Sequence, residues 1–329
     1  MQIFALANIA AINYSDKWGK RNRMRFDGNV FFNHSNAHNN YTLDRWYNKP
    51  HKLDTIHYDQ YSNPENIDFR FRGRLNWKVA KRQRLQLTPT YRYTSNYSVN
   101  DRYDTSMRTG WSESVAEKNR PQPYYYPSFN FGGSASHNVS LYAQYSYRFL
   151  KFGRTLLIVA DVSHNENDNW RNYKSYSGPL TEAERIEQKK YSFSHNTTDQ
   201  STSTFRVQPT FREKIGRHLT LNISYNFQYQ MRDRDVMKYT TDDTYKIFQE
   251  KLQPKSSSSY DNVNMFHEAS VGMRYGKNKN WFSINLRYRN TELTTINKWD
   301  KENGRVSRYF DNFLYNATFN FSVKKQHSL

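Results

Sequence analysis

Arginines occupy alternate positions in the segment that contains Arg70, Arg72 and Arg74. On an extended strand, residues two apart project from the same face, so these side chains would form one cationic row. Further arginines on predicted strands extend this water-facing surface: Arg92, Arg148, Arg206, Arg212 and Arg287. A surface of one charge sign concentrates the electric field and would favour anionic solutes. The alternative is that these arginines pair with acidic residues of a plug or a neighbouring wall outside this chain.

A second group of candidate ligand-binding residues is the tyrosine triplet Tyr124, Tyr125 and Tyr126, which lies between prolines in the segment 121–127. Aromatic rings placed in a loop can stack on a ring of a bound ligand. The alternative is that the prolines hold this segment as an ordered lid without ligand contact. The sequence leaves both interpretations open.

The sequence lacks the residue patterns of common enzymes. It contains no cysteine, which excludes thiol nucleophiles, disulfides and cysteine metal sites. No second histidine follows His267 and Glu268 at the spacing of zinc proteases. His34 and His38 lie four residues apart, but in an Asn-rich stretch that is typical of a solvated loop. We therefore predict no enzyme activity, no metal site and no cofactor.

The elements that would position the arginines are predicted from residues 219 to 231, which alternate strictly between apolar and polar side chains. This period of two is typical of a strand with one apolar and one water-facing side. A helix is excluded, because steps of three and four residues from Leu219 mix the two classes. The same alternation recurs about ten more times, in segments longer than the usual strand of a soluble protein.

The alternation predicts about eleven long strands of an all-β, antiparallel up-and-down transmembrane β-barrel. The predicted strands are 2–13, 22–34, 68–79, 84–97, 138–149, 154–164, 201–212, 218–231, 263–275, 281–290 and 309–323. Short charged connections alternate with the long predicted loops 35–67, 98–137, 165–200, 232–262 and 291–308. Outer-membrane barrels have this asymmetry, with short periplasmic turns and long external loops.

Aromatic residues are predicted at two heights around an aliphatic band, as in the girdles of membrane barrels. Trp77, Phe149, Trp281 and Phe321 lie near the short connections, and Tyr93, Tyr97, Tyr147, Tyr229 and Tyr288 lie farther along the strands. The predicted aliphatic band comprises Leu75, Leu85, Leu141, Val159, Leu221, Val271 and Ile284. The alternative is ordinary cross-strand aromatic packing in a soluble sheet.

Composition agrees with a thin wall better than with a packed core. Only 36% of the 329 residues are hydrophobic, whereas 17% are aromatic and the net charge is +19. The basic charge and interleaved aromatics raise the remote alternative of a soluble nucleic-acid-binding β protein. Against that alternative, the basic residues are spread over most of the predicted strands instead of forming one compact patch. We therefore predict no nucleic-acid partner.

Three segments carry a family resemblance: Arg25 to His34, Gly153 to Asp161 and Leu219 to Tyr229. In pattern and composition the chain resembles the wall of outer-membrane β-barrel proteins related to TonB-dependent receptors. The resemblance implies a roughly 22-stranded barrel with a plugged lumen. It also implies that an N-terminal plug releases ligand when a TonB-type energy-coupling protein pulls a short box near its start.

The sequence departs from this family in having about half the strands, and no recognisable plug, box or signal. We therefore expect residues 1–329 to be one partial outer-membrane β-barrel domain without a plug domain, a fragment of a larger receptor. The implied partners are outer-membrane lipid and lipopolysaccharide, the missing plug and remaining strands, and the energy-coupling protein. The implied function is uptake of a nutrient such as a metal chelate, an oligosaccharide or a peptide. A passive porin or an adhesive barrel is the alternative.

Overall fold

The computed structural model describes residues 2–49, 52–108, 122–176, 191–241, 251–277, 280–300 and 304–320. These residues form one antiparallel sheet of twelve strands. In chain order the strands are β1 (Gln2–Trp18), β2 (Met24–Lys49), β3 (Lys52–Ala80), β4 (Gln83–Arg108), β5 (Gln122–Arg148), β6 (Thr155–Tyr176), β7 (Tyr191–Ile215), β8 (Leu219–Thr241), β9 (Lys251–Leu252), β10 (Ser258–Lys277), β11 (Asn280–Asn297) and β12 (Arg305–Asn320). A 3₁₀ turn, Pro254–Ser256, precedes β10. Within the described ranges, no helix has the length and apolar character needed to cross a membrane.

The sheet has up-and-down topology, because each long strand pairs with its chain neighbours from β1 to β12. The exception is β9, a two-residue strand in the connection between β8 and β10 that pairs with β8 alone. The eleven long strands correspond one to one with those predicted from the sequence, so the all-β antiparallel prediction is confirmed. The sequence pattern does not predict β9, because two residues are too few to display a period.

The sheet is open. Strands β1 and β12 form its two edges, and no ladder joins them among the described residues. Because eleven long strands alternate in direction, these two edge strands run the same way. The up-and-down wall is therefore observed, but a closed barrel is not.

Strand register explains how the alternating sequence produces two different faces. Directly opposite residues of an antiparallel pair project from the same face. Ile223 of β8 lies opposite Val271 of β10, which in turn lies opposite Leu286 of β11. One position along, Ser224 lies opposite Ser270, and their hydroxyl oxygens are 2.6 Å apart. In this part of the sheet, apolar residues are therefore flanked across the ladder by apolar residues, and polar residues by polar ones.

The strands extend far beyond the predicted boundaries. Strands β2 and β3 remain paired until Lys49 lies opposite Lys52, so most of the predicted loop 35–67 is strand. Strands β4 and β5 remain paired until Arg108 lies opposite Gln122, so the predicted loop 98–137 is also largely strand. Both faces of these extensions carry many polar side chains, so the sequence there shows little difference in polarity between the two faces. The loop predictions were wrong there for that reason.

The predicted short connections are confirmed at one end of the sheet, where residues 19–23, 81–82, 149–154 and 216–218 join successive strands. Gly19, Gly153 and Gly216 have φ angles of 83°, 80° and 65° in three of these turns. Side chains with a Cβ atom rarely adopt this left-handed backbone, so glycine permits the tight reversal. This end of the sheet is here called the short-turn end.

Three prolines interrupt the ladder without changing its register. At each of Pro64, Pro89 and Pro209, the ladder with one of the two neighbouring strands lacks two successive residue pairs, one of which includes the proline. Each proline remains in the ladder with the strand on its other side. Proline has no backbone N–H to donate, so a local loss of ladder bonds is the expected consequence.

Candidate functional site

The predicted arginines lie on one face of the sheet, here called the arginine face. Arg70 of β3 lies opposite Arg92 of β4, and Arg72 and Arg74 alternate with apolar residues on the same strand. The register from β4 across to β11 places the remaining predicted arginines on this face: Arg148, Arg206, Arg212 and Arg287. The alternating sequence therefore positions all eight side chains on one surface.

Three of these arginines line a groove of about 480 Å³ at mid-height on the arginine face. Asp68 accepts a hydrogen bond of 2.9 Å from Nε of Arg70 and a longer one of 3.4 Å from Nε of Arg92. Arg72 forms no ion pair among the described residues and is exposed in the groove. Hydroxyl and amide side chains complete the lining, including Thr90, Ser136 and Asn138. The groove thus combines one uncompensated guanidinium group with neutral hydrogen-bonding groups.

Farther across the sheet, the arginines bond to amides instead of carboxylates. Nε of Arg206 donates to Oδ1 of Asn226 at 3.0 Å, and Nε of Arg212 donates to Oδ1 of Asn222 at 2.9 Å. Nε of Arg287 is buried and has no hydrogen-bond partner among the described residues. Because amides are neutral, these contacts orient Arg206 and Arg212 without cancelling their charge.

A larger cavity, about 800 Å³ in volume, lies at the short-turn end of the arginine face and is here called the cationic cavity. Two predicted arginines, Arg148 and Arg212, line it. Six further cations that the sequence reasoning did not select also line it: Lys17, Arg21, Arg23, Arg25, Lys78 and Arg84. They come from strand ends and turns far apart in the chain. The signal that could have found them is the recurrence of basic residues at the short connections.

The tyrosine triplet lies in strand β5, not in a loop. The backbone of Tyr124, Tyr125 and Tyr126 pairs with β4 opposite Ser106, Thr105 and Asp104. The loop interpretation of this segment was therefore wrong. The side chains of these tyrosines lie outside the part of the molecule whose side chains are described, so ligand contact stays a prediction.

The histidine pair near the start of the chain also lies in a strand. Nε2 of His34 is 2.9 Å from Oε1 of Glu65, and Nδ1 of His38 is 3.3 Å from the hydroxyl of Tyr61. These contacts cross from β2 to β3 and replace the predicted solvated loop. Within the described ranges, no group of three or more histidine, aspartate or glutamate residues is placed to hold a metal ion.

The opposite face, here called the apolar face, is uncovered. Ile223, Val271 and Leu286, which lie side by side on β8, β10 and β11, are 45%, 48% and 40% exposed. No second layer of described structure packs against them. Tyr275 and Phe282 lie below this aliphatic row, and Tyr288 lies above it.

Three predicted positions of the aromatic and aliphatic bands need correction. Trp281 lies opposite Gly276 on the arginine face, where the guanidinium of Arg274 is 4.3 Å from its ring centre. Val159 also lies on the arginine face, opposite Gln144 and Gln208. Tyr147 lies one residue before the end of β5, near the short turns and not at the upper level. Phe321 lies outside the described residues.

The comparisons with known proteins add no identification to this geometry. No model of a known protein family matches the sequence, and no curated protein is significantly similar to it. The two faces of the sheet and the distribution of its charges therefore carry the functional argument.

Proposed function

We propose that this chain forms part of the wall of an outer-membrane β-barrel that takes up a nutrient, as in TonB-dependent receptors. The observation that carries the proposal is the uncovered apolar face. A soluble sheet would hide such a face against another layer of structure. Lipid hydrocarbon is the environment in which eleven long strands can leave it uncovered.

The dimensions of strand β8 support a membrane location. Its apolar-face residues run without interruption from Leu219 to Met231, and the next two residues on that face are Asp233 and Asp235. This run spans about 40 Å along the strand at about 3.3 Å per residue. At the tilt of about 40° found in membrane barrels, it rises about 30 Å, close to the height of their apolar band of about 25 Å.

The two free edges support the proposal that further strands complete the wall. An unpaired backbone group in hydrocarbon costs several kcal/mol, so exposed edges at β1 and β12 would be unstable in a membrane. Because β1 and β12 run in the same direction, a fully antiparallel closure needs an odd number of additional strands between them. The proposal is that the remaining strands of the parent barrel fill this gap.

In this proposal the arginine face lines the route of the cargo. The long extensions of β2–β5 lie beyond the apolar band and would present an external surface for catching a metal chelate, an oligosaccharide or a peptide. Release inward would depend on a plug and on a TonB-type energy-coupling protein, neither of which is part of the described sheet. The outer surface of the wall would contact outer-membrane lipid and lipopolysaccharide.

Spin labels placed one residue apart test the membrane location. In detergent micelles, a label at Leu221 should be shielded from a water-soluble relaxation agent, and a label at Asn222 should be accessible to it. A matched pair at Asp235 and Val236, beyond the apolar run on the same strand, should show no comparable shielding. Equal accessibility at Leu221 and Asn222 would refute the proposal.

Transport requires a separate test in cells that express the parent barrel. Uptake that stops when the inner-membrane proton gradient is collapsed supports energy-coupled transport. Uptake that continues unchanged supports the passive porin. The absence of uptake together with attachment to a surface supports the adhesive barrel.

A further inference from the structure

We infer that the cationic cavity binds a soluble cargo that carries two or more oxyanion groups, such as phosphates, sulfates or carboxylates. This inference rests on the proposed function, because it names the class of cargo that would pass the short-turn end of the wall. The volume of the cavity, about 800 Å³, lies within the range of small-molecule sites. Its location is on the arginine face, at the end of the proposed route.

The charge of the residues that line the cavity is strongly positive. Eight cationic side chains line it, and no aspartate or glutamate is among its described lining residues. Arg25 bonds to the carboxylate of Asp27 at 2.9 Å, just outside the lining. Arg84 and Arg148 are exposed and have no ion-pair partner in the described part of the chain. Like charges gathered without partners repel one another, so a bound polyanion would relieve this repulsion.

At several other places in the sheet, cations pair with carboxylates. Glu213 pairs with both Lys151 and Arg154 at a neighbouring short turn. Glu268 pairs with Arg289. Three aspartates surround Lys298 near the opposite end of the strands. The sheet thus places carboxylates beside cations at these three sites, whereas the cationic cavity has no carboxylate among its described lining residues.

Neutral hydrogen-bonding groups lie between the cations of the cavity. Gln86, Gln144, Ser146 and Thr210 line the same cavity. Their amides and hydroxyls can bond to the remaining oxygens of an oxyanion or to its carrier, while guanidinium groups bind oxyanions through paired hydrogen bonds. This mixture favours a polar, multivalent molecule over an apolar one.

A lipid head group offers the same phosphate chemistry from a different source. The eight cations of the cavity lie on the arginine face or in the turns, whereas the proposed lipid contact is on the apolar face. A phospholipid would have to bring its phosphate around the end of the sheet to reach Arg84 and Arg148. The geometry thus favours a soluble oxyanion.

Calorimetry with tripolyphosphate tests the inference on the complete chain in neutral detergent micelles. We expect saturable binding that weakens as salt is added, because salt screens exposed charges. The double variant Arg84→Gln/Arg148→Gln should weaken binding by about tenfold or more, because it removes two charge-assisted contacts. The control Arg305→Gln/Arg308→Gln removes the same charge from exposed positions on β12 and should leave the affinity within about twofold of the original.

Three results would overturn the inference. They are no binding of tripolyphosphate, an equal loss of affinity in both double variants, or a protein that binds phosphatidylglycerol in mixed micelles but does not bind tripolyphosphate. The last result would assign the cavity to lipid head groups. Circular dichroism of each variant verifies that the sheet is retained. The spin-label experiment at Leu221 and Asn222 separates the two proposals, because it reports the location of the wall whether or not the cavity binds an anion.

Discussion

The ring of Phe26 lies directly over Gly28, two residues along the same strand. A Cβ atom at Gly28 would be only 2.8 Å from Cε1 of this ring. The ring also covers Gly73 on the neighbouring strand, where a Cβ atom would be 3.1 Å from Cε2 of Phe26 and 3.3 Å from Cγ of Pro89. Gly28 and Gly73 fall opposite each other in the register of β2 and β3. The two glycines thus leave a hollow on the apolar face, and the ring of Phe26 fills it. The ring supplies the packing that the glycines, which have no side chains, cannot provide.

This packing predicts that Gly73→Ala destabilises the sheet by about 1–3 kcal/mol, the usual cost of overpacking a well-filled site. Phe26→Leu should reduce that cost, because a smaller side chain leaves space for the added methyl group. A double-mutant cycle measured by denaturant unfolding in micelles isolates the coupling between the two positions. If the free-energy changes of the two single substitutions simply add in the double variant, Phe26 does not fill the hollow.

A second prediction concerns Glu213, whose carboxylate is buried on the apolar face beside the short turn between β5 and β6. It accepts a hydrogen bond of 2.5 Å from Nε of Arg154 and bonds to Nζ of Lys151. Glu213→Gln should lower the thermal unfolding midpoint, because it leaves two cations without their shared counter-charge.

Glu292→Gln is the control for this prediction, because Glu292 also faces the apolar side but accepts a single hydrogen bond, of 3.2 Å, from the hydroxyl of Tyr309. We expect a smaller shift of the midpoint. Hydrogen exchange should also increase at the amides of the β5–β6 turn in Glu213→Gln alone. Equal shifts in the two variants would contradict a specific role for Glu213 in holding the turn.

A third prediction concerns Lys298, which anchors the connection between β11 and β12. Nζ of Lys298 is 2.5 Å from Oδ1 of Asp233 and 3.3 Å from Oδ1 of Asp261. Burial alone would lower the pKa of Lys298, but the hydrogen bond to Asp233 and the nearby carboxylates of Asp261 and Asp235 outweigh it and raise the pKa. A raised lysine pKa contributes stability that is fully present below the ordinary value of about 10.4 and is lost only as the pH rises through the folded-state value.

Lys298→Met should therefore destabilise the upper part of the sheet at pH 7, where Lys298 is charged in the original protein. The loss should diminish near pH 4, because carboxylates that have lost their counter-charge become protonated there. Unfolding midpoints measured from pH 4 to pH 9 test both statements. Lys255→Met, at an exposed position in the 3₁₀ turn, is the control and should show no such dependence on pH. A loss of stability in Lys298→Met that stays constant from pH 4 to pH 9 would refute the electrostatic explanation.

Strand β8 shows what could be predicted from the sequence. Its two faces differ sharply in polarity, so the period of two is visible from Leu219 to Met231 without any knowledge of neighbouring strands. The extension of β3 shows the limit. Around Ser62 and Asn66 both faces are polar, so the strand is defined by backbone pairing with β2 and β4 and not by a side-chain pattern.

Val159 was assigned to the wrong face, and six cations of the cationic cavity were not selected from the sequence. These two errors have different physical causes. Val159 lies in a run that is apolar on both faces, from Leu156 to Ala160, so alternation could not assign its side. The cavity gathers Lys17, Arg84 and Arg212 from strands distant in the chain. Only the sheet order reveals that such residues share one volume, because their separation in sequence carries no signal of proximity.

A final prediction concerns His57, which lies between two carboxylates in the extension of β2 and β3 beyond the apolar band. Its Nδ1 is 2.5 Å from Oδ1 of Asp44, and its Nε2 is 3.3 Å from Oδ2 of Asp59. The hydrogen bond to Asp44 is the main reason that the pKa of His57 is raised, and the charges of Asp44 and Asp59 act in the same direction. The contribution to stability is therefore fully present below the ordinary histidine pKa of about 6.5 and is lost as the pH rises through the higher folded-state value.

An NMR titration of the His57 ring should give a pKa above 6.5 in the original protein and a lower one in Asp44→Asn. Asp161→Asn removes a carboxylate from β6 and should leave the titration of His57 unchanged, which controls for the loss of one negative charge. The extension should also become less protected against hydrogen exchange as the pH rises through the pKa of His57, after correction for the intrinsic rate. A titration that is identical in Asp44→Asn would show that Asp44 does not hold His57, and that the pairing of β2 with β3 alone positions these side chains.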